Sequence, residues 1–260
     1  MIFRRIIFLL ILANAAFQGF SQSKVLPAEA KPFVVNGYEM MDYITGDLNG
    51  DKRTDAILVL KIKGEDTIID ESNRPLIILV RQPNGKLKVE KRNDSAIMCY
   101  HCGGVFGDPY ESTTIANNGF TLNFYGGSND RWGYEYSFSY DVKKRNWLLV
   151  KEKDVSYRST DPENTTVETS IAAAELEGIS VDNFNSSPPY NDDKWKVVAG
   201  KTFFYSDPRI GSKPRKGYLV RNDVVTGIRE LKNFVEVSFE NSKEQFTIGY
   251  VLKKDLVKIK

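Results

Sequence analysis

The stretch GDLNGDKRTDAILVL, residues 46–60, decides how this chain is read. Its first half places Asp47, Asn49, Asp51 and Asp55 at positions one, three, five and nine of a short loop, and Arg53 at position seven can add its backbone carbonyl. Oxygen donors at that spacing can curl around one hard cation, since Ca²⁺ accepts about 6–8 oxygens in flexible geometry. The second half, from Ala56 to Leu60, is unbroken apolar sequence of the kind a buried strand carries. An acidic loop running straight into such a strand points to a structural calcium loop in a β-protein. It specifies no reaction.

The sequence around this loop repeats the strand signal. Tyr38–Thr45 precedes it, and 75–80 (PLIILV) is a continuous apolar run expected of a strand covered on both faces. Asn84-Gly85 and Asn117-Asn118-Gly119 are turn signals, because Asn and Gly adopt positive φ readily. Aromatic residues alternate from Trp132 to Tyr140, and 147–150 (WLLV) closes the series. Strands at short intervals joined by Gly and Asn turns predict an all-β chain, with an antiparallel domain over residues 33–155. Residues 156–193 are rich in Ser, Thr, Asn, Asp and Pro and predict a polar linker, with a short helix over Val167–Glu177 around Ala172-Ala173-Ala174. From residue 194 onwards strands return, five of them in a short span, which is the scale of a small barrel.

The acidic loop resembles that of FG-GAP and VCBS-type repeats, the calcium-loop family of integrin-like β-propellers, over Gly46 to about Leu60. The resemblance implies a fold that is a propeller fragment or sandwich-like, with Asp47, Asn49, Asp51 and Asp55 as calcium ligands and Arg53 contributing its carbonyl. The loop departs from that pattern at position six, where a glycine is usual and Lys52 stands. It is not an EF-hand, because position twelve is Leu58 and the flanks read as strands.

Residues 1–21 have the layout of a secretory signal: Arg4-Arg5, an apolar core from Ile6 to Ala16, and small residues around Gly19 and Ser21. The apolar core is far shorter than the roughly 20 residues a spanning helix needs. Export to the periplasm or the medium is therefore expected, with no integral membrane segment after the signal is removed. Removal takes away two of the 36 basic residues and no acidic ones, so 34 basic residues face 34 acidic ones. A balanced chain has no overall field to hold nucleic acid.

Cys99-Tyr100-His101-Cys102 contains both cysteines and the single histidine. In an exported protein a disulfide between Cys99 and Cys102 is the first expectation. A redox dithiol of this spacing belongs at a helix start, and the surroundings read as strand and loop. Zinc would need a fourth ligand from elsewhere. One histidine beside one cysteine also leaves no triad of the Ser-His-Asp or Cys-His kind.

Residues 194–260 resemble bacterial SH3-like domains through KTFFYSDP at 201–208, KPRKGYLVRNDVV at 213–225, FVEVSF at 234–239 and TIGYVLKKDL at 247–256. The resemblance implies a small barrel that binds cell-wall peptides or envelope proteins without catalysis. Within it, Tyr205, Arg209, Lys213, Arg215, Lys216 and Tyr218 set cations between aromatic rings, a pattern able to hold an acidic extended peptide. The expectation is thus an envelope binding protein with a structural calcium ion. The alternatives are a hydrolase or enzyme subunit using carboxylates of the N-terminal domain, and a thiol-redox protein.

Overall fold

The computed structural model describes residues 25–68, 72–186, 193–241 and 243–259. The segment read as a secretory signal lies outside the described residues. Every strand pairing is antiparallel, and the strands form three sheets. The first contains β1 (Tyr38–Gly46), β2 (Asp55–Ile62), β3 (Arg74–Arg81) and β4 (Leu87–Ile97) in chain order. The second contains β5 (Tyr110–Ala116), β6 (Gly119–Gly127), β7 (Asp130–Asp141), β8 (Asn146–Arg158) and β9 (Val167–Ala172), also in chain order. The third contains β10 (Lys194–Val197), β11 (Lys201–Tyr205), β12 (Pro214–Val220), β13 (Val224–Glu230), β14 (Phe234–Glu240), β15 (Phe246–Leu252) and β16 (Leu256–Ile259). Its order is β12-β11-β15-β14-β13-β10-β16.

The continuous apolar runs have the physical cause expected of them. In β2 and β3 the residues alternate between two covered faces. Ile57, Val59, Leu76, Ile78 and Val80 face a core shared with Phe120, Leu122, Phe124, Phe138, Trp147 and Leu149 of the second sheet. Ala56, Leu58, Leu60, Ile77 and Leu79 face the other way and are covered by Phe33, Val34, Tyr38, Met40 and Tyr43. At roughly 1.5–3 kcal/mol for each fully buried aliphatic or aromatic side chain, this double burial is the main force holding the first sheet. The turns follow the sequence as well: Asn117 and Asn118 both have positive φ, 52° and 57°, and join β5 to β6.

The third sheet curls around its own core of Trp195, Val197, Phe204, Leu219, Val225, Val235, Val237, Val251 and Leu256. Phe234 and Tyr250 of the same sheet, with Leu231 from the β13–β14 turn, join the large core instead, so the sheet also packs against the rest of the molecule.

The segment 156–193 differs from its expected role as a linker with a helix. β8 runs to Arg158, a one-turn helix α1 spans Pro162–Thr165, and Val167–Ala172 is β9, paired with β8 from Lys151 to Ser156. Local alanine content favours a helix, but an open edge on β8 offers backbone partners that a short exposed helix cannot match. Beyond β9, Leu176, Val181 and Phe184 are buried in the large core. Buried Glu175 accepts hydrogen bonds from the Asn233 backbone N–H and side-chain amide, at 3.0 and 2.9 Å. Residues 156–186 are therefore packed between the second and third sheets.

Candidate functional site

The acidic loop closes between β1 and β2. Asp47, Asp51 and Asp55 bring carboxylate oxygens within 4.8 Å of one another. Lys52 has φ 65°, the left-handed conformation that position six of such a loop demands and that favours glycine. Burial pushes the Asp47 carboxyl up, but N–H groups of Lys52, Gly50, Asn49 and Asp51 outweigh it and hold it below its usual value. Asp55 is fully buried and accepts N–H bonds from Leu48 (3.0 Å) and Arg81 (2.8 Å). Burial pushes its carboxyl up despite those two bonds, and the charges of Asp51 and Asp47 add to the rise. A cation would relieve that penalty, so the three carboxylates could hold a metal ion. Asn49 bonds to Asp51 through its side-chain amide, and the Arg53 guanidinium bridges Asp51 and the Arg81 carbonyl.

Cys99 and Cys102 lie at disulfide distance, with Cα atoms 5.2 Å apart around a one-turn 3₁₀ helix. Of the barrel candidates, Arg209 pairs with Asp207 on the surface, Lys213 and Lys216 are exposed, and exposed Tyr218 has the Lys201 ammonium 3.9 Å from its ring centroid. None of these four lines the cleft that the other two candidates share. Tyr205 and Arg215 line it, between the second and third sheets.

That cleft is built from two facing rows of side chains. On the second sheet, strand register sets Tyr134 opposite Asp154 and Asp154 opposite Thr169, while Tyr136 lies opposite Glu152 in the adjacent row. On the third sheet, Arg229 lies opposite Glu236, Glu236 opposite Tyr250, and Tyr250 opposite Tyr205, a row across four strands. A register shift between Gly227 and Arg229 brings Arg229 into this row, as bulges commonly re-aim a side chain. Trp132 completes the wall. A β-carbon on Gly126 would lie 2.4 Å from the Trp132 ring, so only glycine leaves room for it.

The cleft has two lobes of about 400 and 360 Å³. Trp132, Tyr134, Asp154 and Glu236 line both. The first lobe adds Tyr205, Arg215 and Tyr250, and the second adds Cys102, Glu152 and Arg229. Arg229 pairs with Glu152, reaches Glu236 at 3.5 Å, and lies 3.5 Å from the Tyr250 hydroxyl. Burial opposes the Arg229 charge, but Glu152 and Glu236 outweigh it and hold the guanidinium above its usual value. Burial pushes Asp154 up to about 7; the Glu152 charge adds to this, and Arg229 only partly offsets it. Burial likewise raises Glu236 and Tyr250. Asp154 Oδ1 and Arg229 Nε are buried without hydrogen-bond partners among the described residues.

No family model, curated protein or solved structure matches this chain. The cleft is therefore read from its own residues. Sequence reasoning singled out Tyr205 and Arg215 of its lining but not Trp132, Tyr134, Glu152, Asp154, Arg229, Glu236 or Tyr250. Alternation carried from Trp147 and Leu149 points to Lys151 and Lys153 instead; a register shift between Ser137 and Phe138 sets Glu152 and Asp154 opposite Tyr136 and Tyr134, and nothing in the local sequence marks it.

Proposed function

We infer that this chain is an exported, non-catalytic binding protein of the cell envelope whose ligand enters the cleft between the second and third sheets. The observation that carries this reading is the pair of facing rows, Tyr134–Asp154–Thr169 and Arg229–Glu236–Tyr250–Tyr205, which line a concave space with aromatic walls and a few polar groups. Clefts at domain junctions with that composition are the usual form of small-ligand sites. Export rests on the composition of residues 1–21 and on the paired cysteines. Calcium is proposed as a structural ion on Asp47, Asn49, Asp51, Asp55 and the Arg53 carbonyl, bracing the β1–β2 connection. In the SH3-like reading of the third sheet, the ligand is a cell-wall peptide or an envelope protein.

The test is intrinsic fluorescence with purified peptidoglycan fragments and envelope extracts. Trp147 and Trp195 are buried, whereas Trp132 lines both lobes. Ligand-induced change should be present in the wild type and absent in Trp132→Phe. A ligand that binds without altering Trp132 would move the site elsewhere.

A second reading, carboxylate-based hydrolysis, is favoured by one observation: Asp154 is pushed up to about 7 beside Glu152 and Glu236. Split carboxyl environments of this kind are used in acid–base catalysis. Against it, Glu152 and Glu236 both engage Arg229, the arrangement of a structural ion network. Release of soluble fragments from peptidoglycan by the wild type, lost in Asp154→Asn, would establish hydrolysis.

A further inference from the structure

We propose that the cleft is a site for an alkylammonium group, a primary amine on an aliphatic stem such as a lysine side chain of a peptide, seated beside Asp154. This rests on the reading of the cleft as the recognition site and names the chemistry it accepts.

Charge gives the first reason. The groups facing Asp154 are Glu152 on its own strand, Tyr134 and Tyr136 on β7, Arg229 on β13, Glu236 on β14 and Tyr250 on β15, with Arg215 of β12 at the mouth. Glu152 and Glu236 share the Arg229 guanidinium, and Arg215 Nη1 donates to the Ile248 carbonyl at 2.6 Å. Once Asp154 ionises, three carboxylates surround Arg229 and the junction lacks a positive charge. Asp154 Oδ1 is also buried without a hydrogen bond from any described residue. A buried carboxylate oxygen in that state is a strong acceptor waiting for a donor.

The walls decide which cation. A bare metal ion wants a shell of oxygens, but Glu152 and Glu236 are held by Arg229, and aromatic and aliphatic side chains make up most of the other lining beside Ser156, Thr169 and Ser206. Rings of Trp132, Tyr134 and Tyr205 suit an organic cation through their negative faces. Val155, Val167 and Ile248 offer apolar surface for a methylene stem. A lobe of about 400 Å³ also fits an amino-acid side chain and leaves a lone ion loosely held. Because Asp154 is pushed up to about 7, an incoming ammonium must favour its ionised form, and affinity should rise with pH across that value.

The experiment is calorimetric and fluorescence titration of the full protein with a lysine-containing tripeptide, N-acetylated and C-amidated, and with its glutamate counterpart. The lysyl peptide should bind about tenfold more tightly at about pH 8.5 than at about pH 5.5. Asp154→Asn should weaken binding at high pH by about tenfold and remove that pH dependence. Thr169→Lys places a tethered ammonium directly opposite Asp154 in the strand register and should block the peptide. Both variants keep the backbone pairing, and matching far-ultraviolet circular dichroism will confirm that each is folded. No lysyl-peptide binding up to about 10 mM, or equal binding by wild type, Asp154→Asn and Thr169→Lys, would overturn the proposal. Glutamyl peptide or neutral glycan quenching Trp132 would sink the ammonium assignment and leave the cleft reading standing. If no peptide or peptidoglycan fragment perturbs Trp132, both fall.

Discussion

Arg229 on β13 and Glu152 on β8 form a buried ion pair between two sheets, joining residues separated by 77 positions in the chain. The Arg229 side chain is 19% exposed and that of Glu152 3%. A pair this deep need not be more stabilising than apolar residues of the same shape, but removing one partner strands the other charge. Arg229→Ala should therefore cost about 3 kcal/mol in urea unfolding, and Arg229→Met combined with Glu152→Leu and Glu236→Leu, which removes both carboxylates it serves, should recover much of that loss. A single-variant loss below about 0.5 kcal/mol would show that the junction is held by its apolar contacts alone.

Asp154 gives the same junction a pH dependence. Its carboxyl is raised from 3.8 to about 7, so the folded chain holds a proton that the unfolded chain has already released. Between those values the unfolded state binds fewer protons, and stability from this group falls as pH rises, reaching its lowest level above about 7. The full effect is on the order of 4 kcal/mol for a shift of this size, less whatever solvent access screens. Asp154→Asn should be more stable than wild type at about pH 8 and similar to it at about pH 4. The measurement is the difference in urea midpoint between the two proteins at each pH, which cancels other titrating groups. A difference that does not change with pH would contradict the raised carboxyl.

The legible and illegible parts of the fold divide along local against non-local causes. The run Ala56–Leu60 announces a strand with two covered faces, and both faces are covered. Asn117-Asn118 announces a tight turn because its φ preference belongs to those two residues. Val167–Ala172 misleads because its partner, the edge of β8, lies in another part of the chain. The cleft was hidden for the same reason. Lys151-Glu152-Lys153-Asp154 reads as a solvated charged run, and only the register with β7 turns Glu152 and Asp154 inward. Arg229 joins them through a bulge at Ile228, which no local pattern in residues 224–230 marks.

Lys52 offers a test of the calcium loop. Its φ of 65° costs a β-carbon-bearing residue roughly 1 kcal/mol, and the greater unfolded-state freedom of glycine offsets part of any gain. Lys52→Gly should raise stability by about 0.5 kcal/mol without calcium. It should also bind calcium more tightly, because a nearby ammonium is removed. Thermal midpoints in chelator and in calcium provide the measurement: wild type should gain with calcium, the variant should gain more, and Asp55→Ala should lose the response. Asp55→Ala should also cost about 2–3 kcal/mol in chelator, because the N–H groups of Leu48 and Arg81 lose their acceptor. No midpoint shift at saturating calcium for either wild type or Lys52→Gly would remove calcium from the loop.

The Cys99–Cys102 pair closes a short loop, and short loops restrict the unfolded chain least. The entropy removed by a crosslink of this span corresponds to about 2 kcal/mol. Cys99→Ser with Cys102→Ser should therefore lower stability by about that amount, less than Arg229→Ala. Cys102 also lines the second lobe of the cleft, next to Met98 and Trp132. Reduction should consequently alter ligand-dependent Trp132 fluorescence as well as stability. A structural crosslink should protect both cysteines from alkylation until reductant is added. Free thiols that alkylate in the native protein would rule that role out, and mass analysis with and without reductant distinguishes the two outcomes.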